Sequence, residues 1–121
     1  MRALIAEDNP GIGAYMVEEA EEAGAEVTFA DNGIGALQAI ASSERPFDVL
    51  FTDYLMPGAD GIEVVRKAVE CGVGHIEVFS SKSGPVVTGL LEEAGVKGVM
   101  VHGKDFSVIQ KRIAAVMGRG N

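Results

Sequence analysis

The sequence predicts a doubly wound α/β domain built on five parallel strands. Short apolar runs recur at residues 3–6, 27–30, 49–51, 76–79 and 99–101, at spacings of about two dozen residues. The longer segments between them repeat apolar residues at helical spacing, and glycines stand where several of those segments stop. Strands apolar on both faces and alternating with helices belong in a parallel sheet covered on both sides and joined by right-handed crossovers.

Taken in order, the first strand runs from Ala3 to Ala6, and Ile12, Met16, Ala20 and Ala23 mark one face of the first helix. Gly24 closes that helix, because glycine adopts the left-handed cap most cheaply. Val27 to Ala30 gives the second strand, and Ile34, Leu37 and Ile40 the second helix. Val49 to Phe51 begins the third strand, followed by a helix that carries Ile62, Val65 and Val69 and stops at Gly72. Ile76 to Phe79 is the fourth strand, and Gly95 ends the helix after it. Val99 to Val101 is the fifth, ahead of a last helix with Ile109 and Ile113. The tail from Gly118 to Asn121 reads as a frayed end or the start of a linker.

Residues 1–121 form one domain, long enough for a single core and too short for a second module. With 47% hydrophobic and 23% charged residues the chain is globular, since disorder needs low hydrophobicity together with high charge. A net charge of −8, spread along the chain, argues against binding nucleic acid or anionic lipid. One cysteine, Cys71, cannot form an internal disulfide, and no signal peptide or membrane-length apolar stretch is present, so a cytoplasmic location is expected.

In doubly wound sheets ligands bind beyond the carboxyl ends of the strands. The first strand ends in Glu7-Asp8, the third in Asp53, the fourth in Ser80-Ser81, and the fifth runs into His102-Gly103-Lys104. Three acids, a hydroxyl and one or two cationic groups therefore gather on one edge. Carboxylates so placed repel one another unless a pKa rises or a hard cation binds. Mg²⁺ suits them, because it takes oxygen ligands and keeps several waters.

Those residues, Glu7-Asp8 after strand one, the run Asp53-Tyr54-Leu55-Met56-Pro57-Gly58-Ala59-Asp60-Gly61 after strand three and Ser80 after strand four, resemble the receiver (CheY-like) domain of two-component response regulators. The similarity extends from Ala3 to about Val116, with Asp31-Asn32-Gly33 before the second helix and Pro46-Phe47-Asp48-Val49 before the third strand also fitting. The resemblance implies a flavodoxin-like fold and a signalling domain, not an enzyme. It implies that Asp53 takes a phosphoryl group from a sensor histidine kinase or a histidine phosphotransfer protein. It further implies that Glu7, Asp8, Asp53 and the Leu55 carbonyl hold Mg²⁺, and that Ser80 hydrogen-bonds the transferred group.

Two departures from the family pattern stand out. Receivers place a lysine after strand five, whereas counting without gaps from Ser80 puts His102 there, with Lys104 two residues on. Side chains two apart on a strand point the same way, so Lys104 could reach the site if strand five runs slightly longer; its long stem and fixed charge favour it for the phosphate contact. The aromatic residue that many receivers carry in strand five is a valine in either register, which leaves Met100 or Phe106 to repack in its place. Pro57 and Gly58 would set the turn after Asp53, with Gly61 adding freedom. Glu18, Glu19, Glu21 and Glu22 read as the solvated face of the first helix, Cys71 as a small apolar filler and His75 as a surface residue. Two other functions fit the same residues: a Mg²⁺-dependent phosphatase working through an aspartyl phosphate, and a degenerate receiver acting as a constitutive interaction module.

Overall fold

The computed structural model describes residues 1–118, so the expected tail lies outside the described residues from Arg119 on. Five strands and five helices alternate: β1 (Arg2–Ala6), α1 (Pro10–Glu22), β2 (Glu26–Ala30), α2 (Gly33–Ser42), β3 (Val49–Asp53), α3 (Gly61–Glu70), β4 (His75–Phe79), α4 (Gly84–Glu93), β5 (Met100–His102) and α5 (Ile109–Met117). A 3₁₀ turn at Phe106–Val108 leads into α5. Local chemistry sets the helix starts. Asn9 caps α1 by accepting from the Gly11 and Ile12 N–H groups, and Asn32, Asp60 and Ser83 cap α2, α3 and α4 in the same way. Gly24, Gly72 and Gly95 follow their helices at φ of 97°, 79° and 85°, the left-handed geometry expected of them.

All strand pairs are parallel, in the order β2-β1-β3-β4-β5. Alternation along each strand divides the core between the two faces. Ala3 and Ile5 of β1 pack with Phe51, Phe79 and residues of α1 and α5. Leu4 and Ala6 face the opposite way, onto Ala36 and Ile40 of α2 and Val64 and Ala68 of α3. Val78 joins Val87 and Leu91 of α4 on that second face. Phe51, Phe79, Leu4, Ile5 and Leu50 are fully buried, each contributing about 1.5–3 kcal/mol.

Four expectations about burial change. β2 and β5 are not covered on both faces: they are the outer strands, Thr28, Phe29 and Met100 are exposed, and β5 runs from Met100 to His102, not from Val99 to Val101. Ile34 and Val69, taken as core-facing, are 52% and 51% exposed, so the buried stripes of α2 and α3 run through Ala36 and Ile40 and through Val64, Val65 and Ala68. Small alanines let those two helices sit close to the sheet.

Candidate functional site

Strand order reverses between β1 and β3, so the ends of those two strands flank the crevice where such sheets bind ligands. Glu7 and Asp8 follow β1, and Asp53 ends β3. One carboxylate oxygen from each of the three lies within 4.8 Å of the others. Glu7 is 1% exposed. Its Oε2 accepts the Asn9 N–H at 3.0 Å, while Oε1 has no hydrogen-bond partner among the described residues. Burial pushes the Glu7 pKa up to about 7, with the Asn9 N–H opposing and the Asp53 charge adding to the rise. Capping of α1 falls to Asn9, which leaves the acid pair free of that task.

Asp53 is buried, and its Oδ1 accepts the Tyr54 N–H at 2.9 Å and the Lys104 ammonium at 2.6 Å. Thus the cation that meets Asp53 is Lys104. His102, two residues earlier, turns instead onto Glu77, with Nε2 2.7 Å from Oε1, and stacks on Phe79. Ser80 is buried at the end of β4, donates its N–H to the His102 carbonyl and accepts the Lys82 N–H on Oγ. Ser83, not Ser80, caps α4. Asp53, Tyr54, Leu55, Ser80, Ser81 and Lys104 line a cleft of about 100 Å³. The Leu55 side chain is exposed, while Tyr54 packs inward against Val65 and Val87.

The loop after β3 is held by close backbone approaches. The Gly61 N–H donates to the Tyr54 carbonyl at 2.7 Å, and a Cβ on Gly61 would lie 2.8 Å from Tyr54 Cα. Gly61 therefore supplies room and not a left-handed φ, which belongs to Gly58 at 91°. Sequence reasoning also passed over Glu77 and Arg112. Arg112 on α5 donates Nε to both Glu77 oxygens at 2.9 and 3.0 Å, and this partner holds the guanidinium pKa up. The available signal was a single acid inside the apolar run Ile76-Glu77-Val78-Phe79.

A family model described as the response regulator receiver domain matches residues 3–114. The chain belongs to that family. Receivers are phosphorylatable signalling domains of two-component systems, and the match covers every strand and most of α5. Over 69 residues the receiver is 44% identical to the response regulator receiver protein CpdR of Brucella abortus, covering 57% of this chain and 56% of that one. It is also 42% identical over 60 residues to the sensor histidine kinase GacS of Pseudomonas protegens, covering 50% of this chain and 6% of the kinase. A response regulator receiver protein from Sinorhizobium medicae superposes with a TM-score of 0.81 at 19% identity, covering 100% and 97% of the two chains, and so shares the fold. The receiver spans about half the length of the response regulators it matches. Among its described residues no helix is long and apolar enough to cross a membrane.

Proposed function

We propose that Asp53 accepts a phosphoryl group from a phosphohistidine on a sensor histidine kinase or a histidine phosphotransfer protein, and that the resulting acyl phosphate changes which partner the receiver binds. The 2.6 Å contact between Lys104 and Asp53, beside a buried acid with an unpartnered oxygen, carries this reading. An Asp53 oxygen attacks phosphorus, the phosphorus–nitrogen bond to the donor imidazole breaks, and the electron pair leaves on that nitrogen, which is protonated. Lys104 stands where it offsets charge on the phosphoryl oxygens. The Ser80 hydroxyl can donate to one of them while still accepting from Lys82, since a hydroxyl does both.

The all-oxygen donor set and the orphaned Glu7 Oε1 fit Mg²⁺, which Glu7, Asp8, Asp53 and the Leu55 carbonyl would hold. When bound, the ion supplies neutralisation of the phosphoryl oxygens. A cleft of about 100 Å³ has room for a phosphoryl group. Lys104 at Asp53 removes the motive for regarding the receiver as degenerate. Receivers of this kind occur within histidine kinases as well as response regulators, which supports a phosphorelay partner. A cytoplasmic setting completes the proposal, consistent with the free Cys71.

Incubation of the receiver with Mg²⁺ and a small acyl phosphate or phosphoramidate should add the mass of one phosphoryl group. The gain should vanish with a chelator and in Asp53→Asn. Wild-type protein that stays unmodified at saturating Mg²⁺ contradicts the proposal.

A further inference from the structure

Lys104 is not held by strand pairing. β5 ends at His102, exposed Gly103 follows, and the long lysine stem must still deliver its ammonium to Asp53. What fixes the end of β5 lies on the face shared with α1 and α5. Glu77 of β4 sits opposite Met100, so its bond to His102 is a diagonal cross-strand pair. The His102 ring stacks on Phe79, its direct neighbour across the ladder, with centroids 4.9 Å apart. Phe79 in turn meets Phe106, also at 4.9 Å, and the Lys104 ammonium lies 5.9 Å from the Phe106 centroid. Beyond Lys104, Asp105 accepts the Ser107 N–H and hydroxyl and so ties down the 3₁₀ turn that presents Phe106.

We propose that Glu77 and His102, closed from α5 by Arg112, act as a positioning clamp that sets where β5 ends and thereby holds Lys104 on Asp53. The clamp explains why a carboxylate only 2% exposed stands in a core strand. One oxygen of Glu77 is shared by His102 and Arg112, and the other is taken by Arg112 alone. His102 is 25 residues from Glu77 and Arg112 is 35, so three elements converge on one carboxylate. None of the three side chains reaches Asp53. They act through Lys104, and their effect on rate rests on the phosphoacceptor role proposed for Asp53.

Two measurements test the clamp. In protein labelled with ¹³C at lysine Cε, the Lys104 signal should move when Asp53 is changed to Asn. In His102→Leu it should already lie near that shifted position and respond little to Asp53→Asn. An undiminished response in His102→Leu overturns the proposal, whether or not the protein takes up phosphate. The second is a double-mutant cycle on the rate of phosphoryl uptake. His102→Leu should slow uptake roughly tenfold or more, as small misplacements of an acting group do. In a Lys104→Ala background it should cost nothing further, and His102→Gln, whose amide can still donate to Glu77, should restore much of the rate. Additive losses contradict the clamp. His102→Asn, polar but too short to span to Glu77, provides a second variant should the leucine protein fail to fold. Failure of wild-type protein to take up phosphate would reject the role of Asp53, and the lysine signal would still decide the clamp.

Discussion

Burial of Glu7 at the end of β1 leaves one oxygen unpartnered and lifts the pKa from 4.5 to about 7, and both effects bear on metal binding. Between those two values the folded, metal-free protein holds a proton that the unfolded chain has released. Glu7 therefore stabilises the fold fully below pH 4.5 and loses that contribution as pH rises through about 7. Mg²⁺ must displace the same proton, so its affinity should run the other way. We expect apparent affinity to fall towards about tenfold per unit as pH drops below the Glu7 pKa. Glu7→Gln should bind weakly at every pH, and calorimetric titration across pH 6 to 8 (about one unit either side) measures both. Glu7, Asp8, Asp53 and Ser80 could be placed together from the sequence because each ends a strand. Lys104 was favoured over His102 on side-chain chemistry alone, since counting residues cannot tell where β5 stops. A side-chain bond to Glu77 settles the direction of His102.

At the level of elements, one carboxylate makes the polar link between β4 and α5, beside the apolar cluster that Phe79 shares with Ile109 and Ile113. Removing Arg112 leaves buried Glu77 with His102 as its only side-chain partner among the described residues. Loss of one member of a buried pair costs about 3–5 kcal/mol. Because Arg112 is partly exposed, Arg112→Ala should lower stability by about 3 kcal/mol, read from the urea midpoint with an unchanged slope. Gly61→Ala tests the start of α3, where a methyl would press on the Tyr54 backbone; a loss of about 1–3 kcal/mol is expected. Neither feature was legible beforehand. Periodicity reports which face of a helix is apolar but not that Arg112 meets an acid 35 residues earlier, nor that two backbones touch at Gly61. The helix caps were easier, because Gly24, Gly72 and Gly95 act through local geometry alone.

For the whole molecule, alternation of short apolar runs with helical segments was enough to indicate five parallel strands and ligands at their carboxyl ends. It did not say which strands lie at the edges. β2 looked like a buried strand because Val27, Phe29 and Ala30 are apolar, yet its outer position leaves Phe29 42% exposed. The order β2-β1-β3-β4-β5 brings Glu7 and Asp8 beside Asp53 and puts Lys104, from beyond the far edge strand, across Phe106 to the same point. We propose that this convergence makes Asp53 the phosphoacceptor. The most direct test is to phosphorylate the wild-type protein with Mg²⁺ and a small phosphodonor and locate the added group by fragmentation mass spectrometry. The phosphoryl mass should appear on the fragment containing Asp53 and nowhere else, with none taken up by Asp53→Asn. A phosphoryl group on Ser80, Ser81 or Asp60, or uptake that persists in Asp53→Asn, would contradict it.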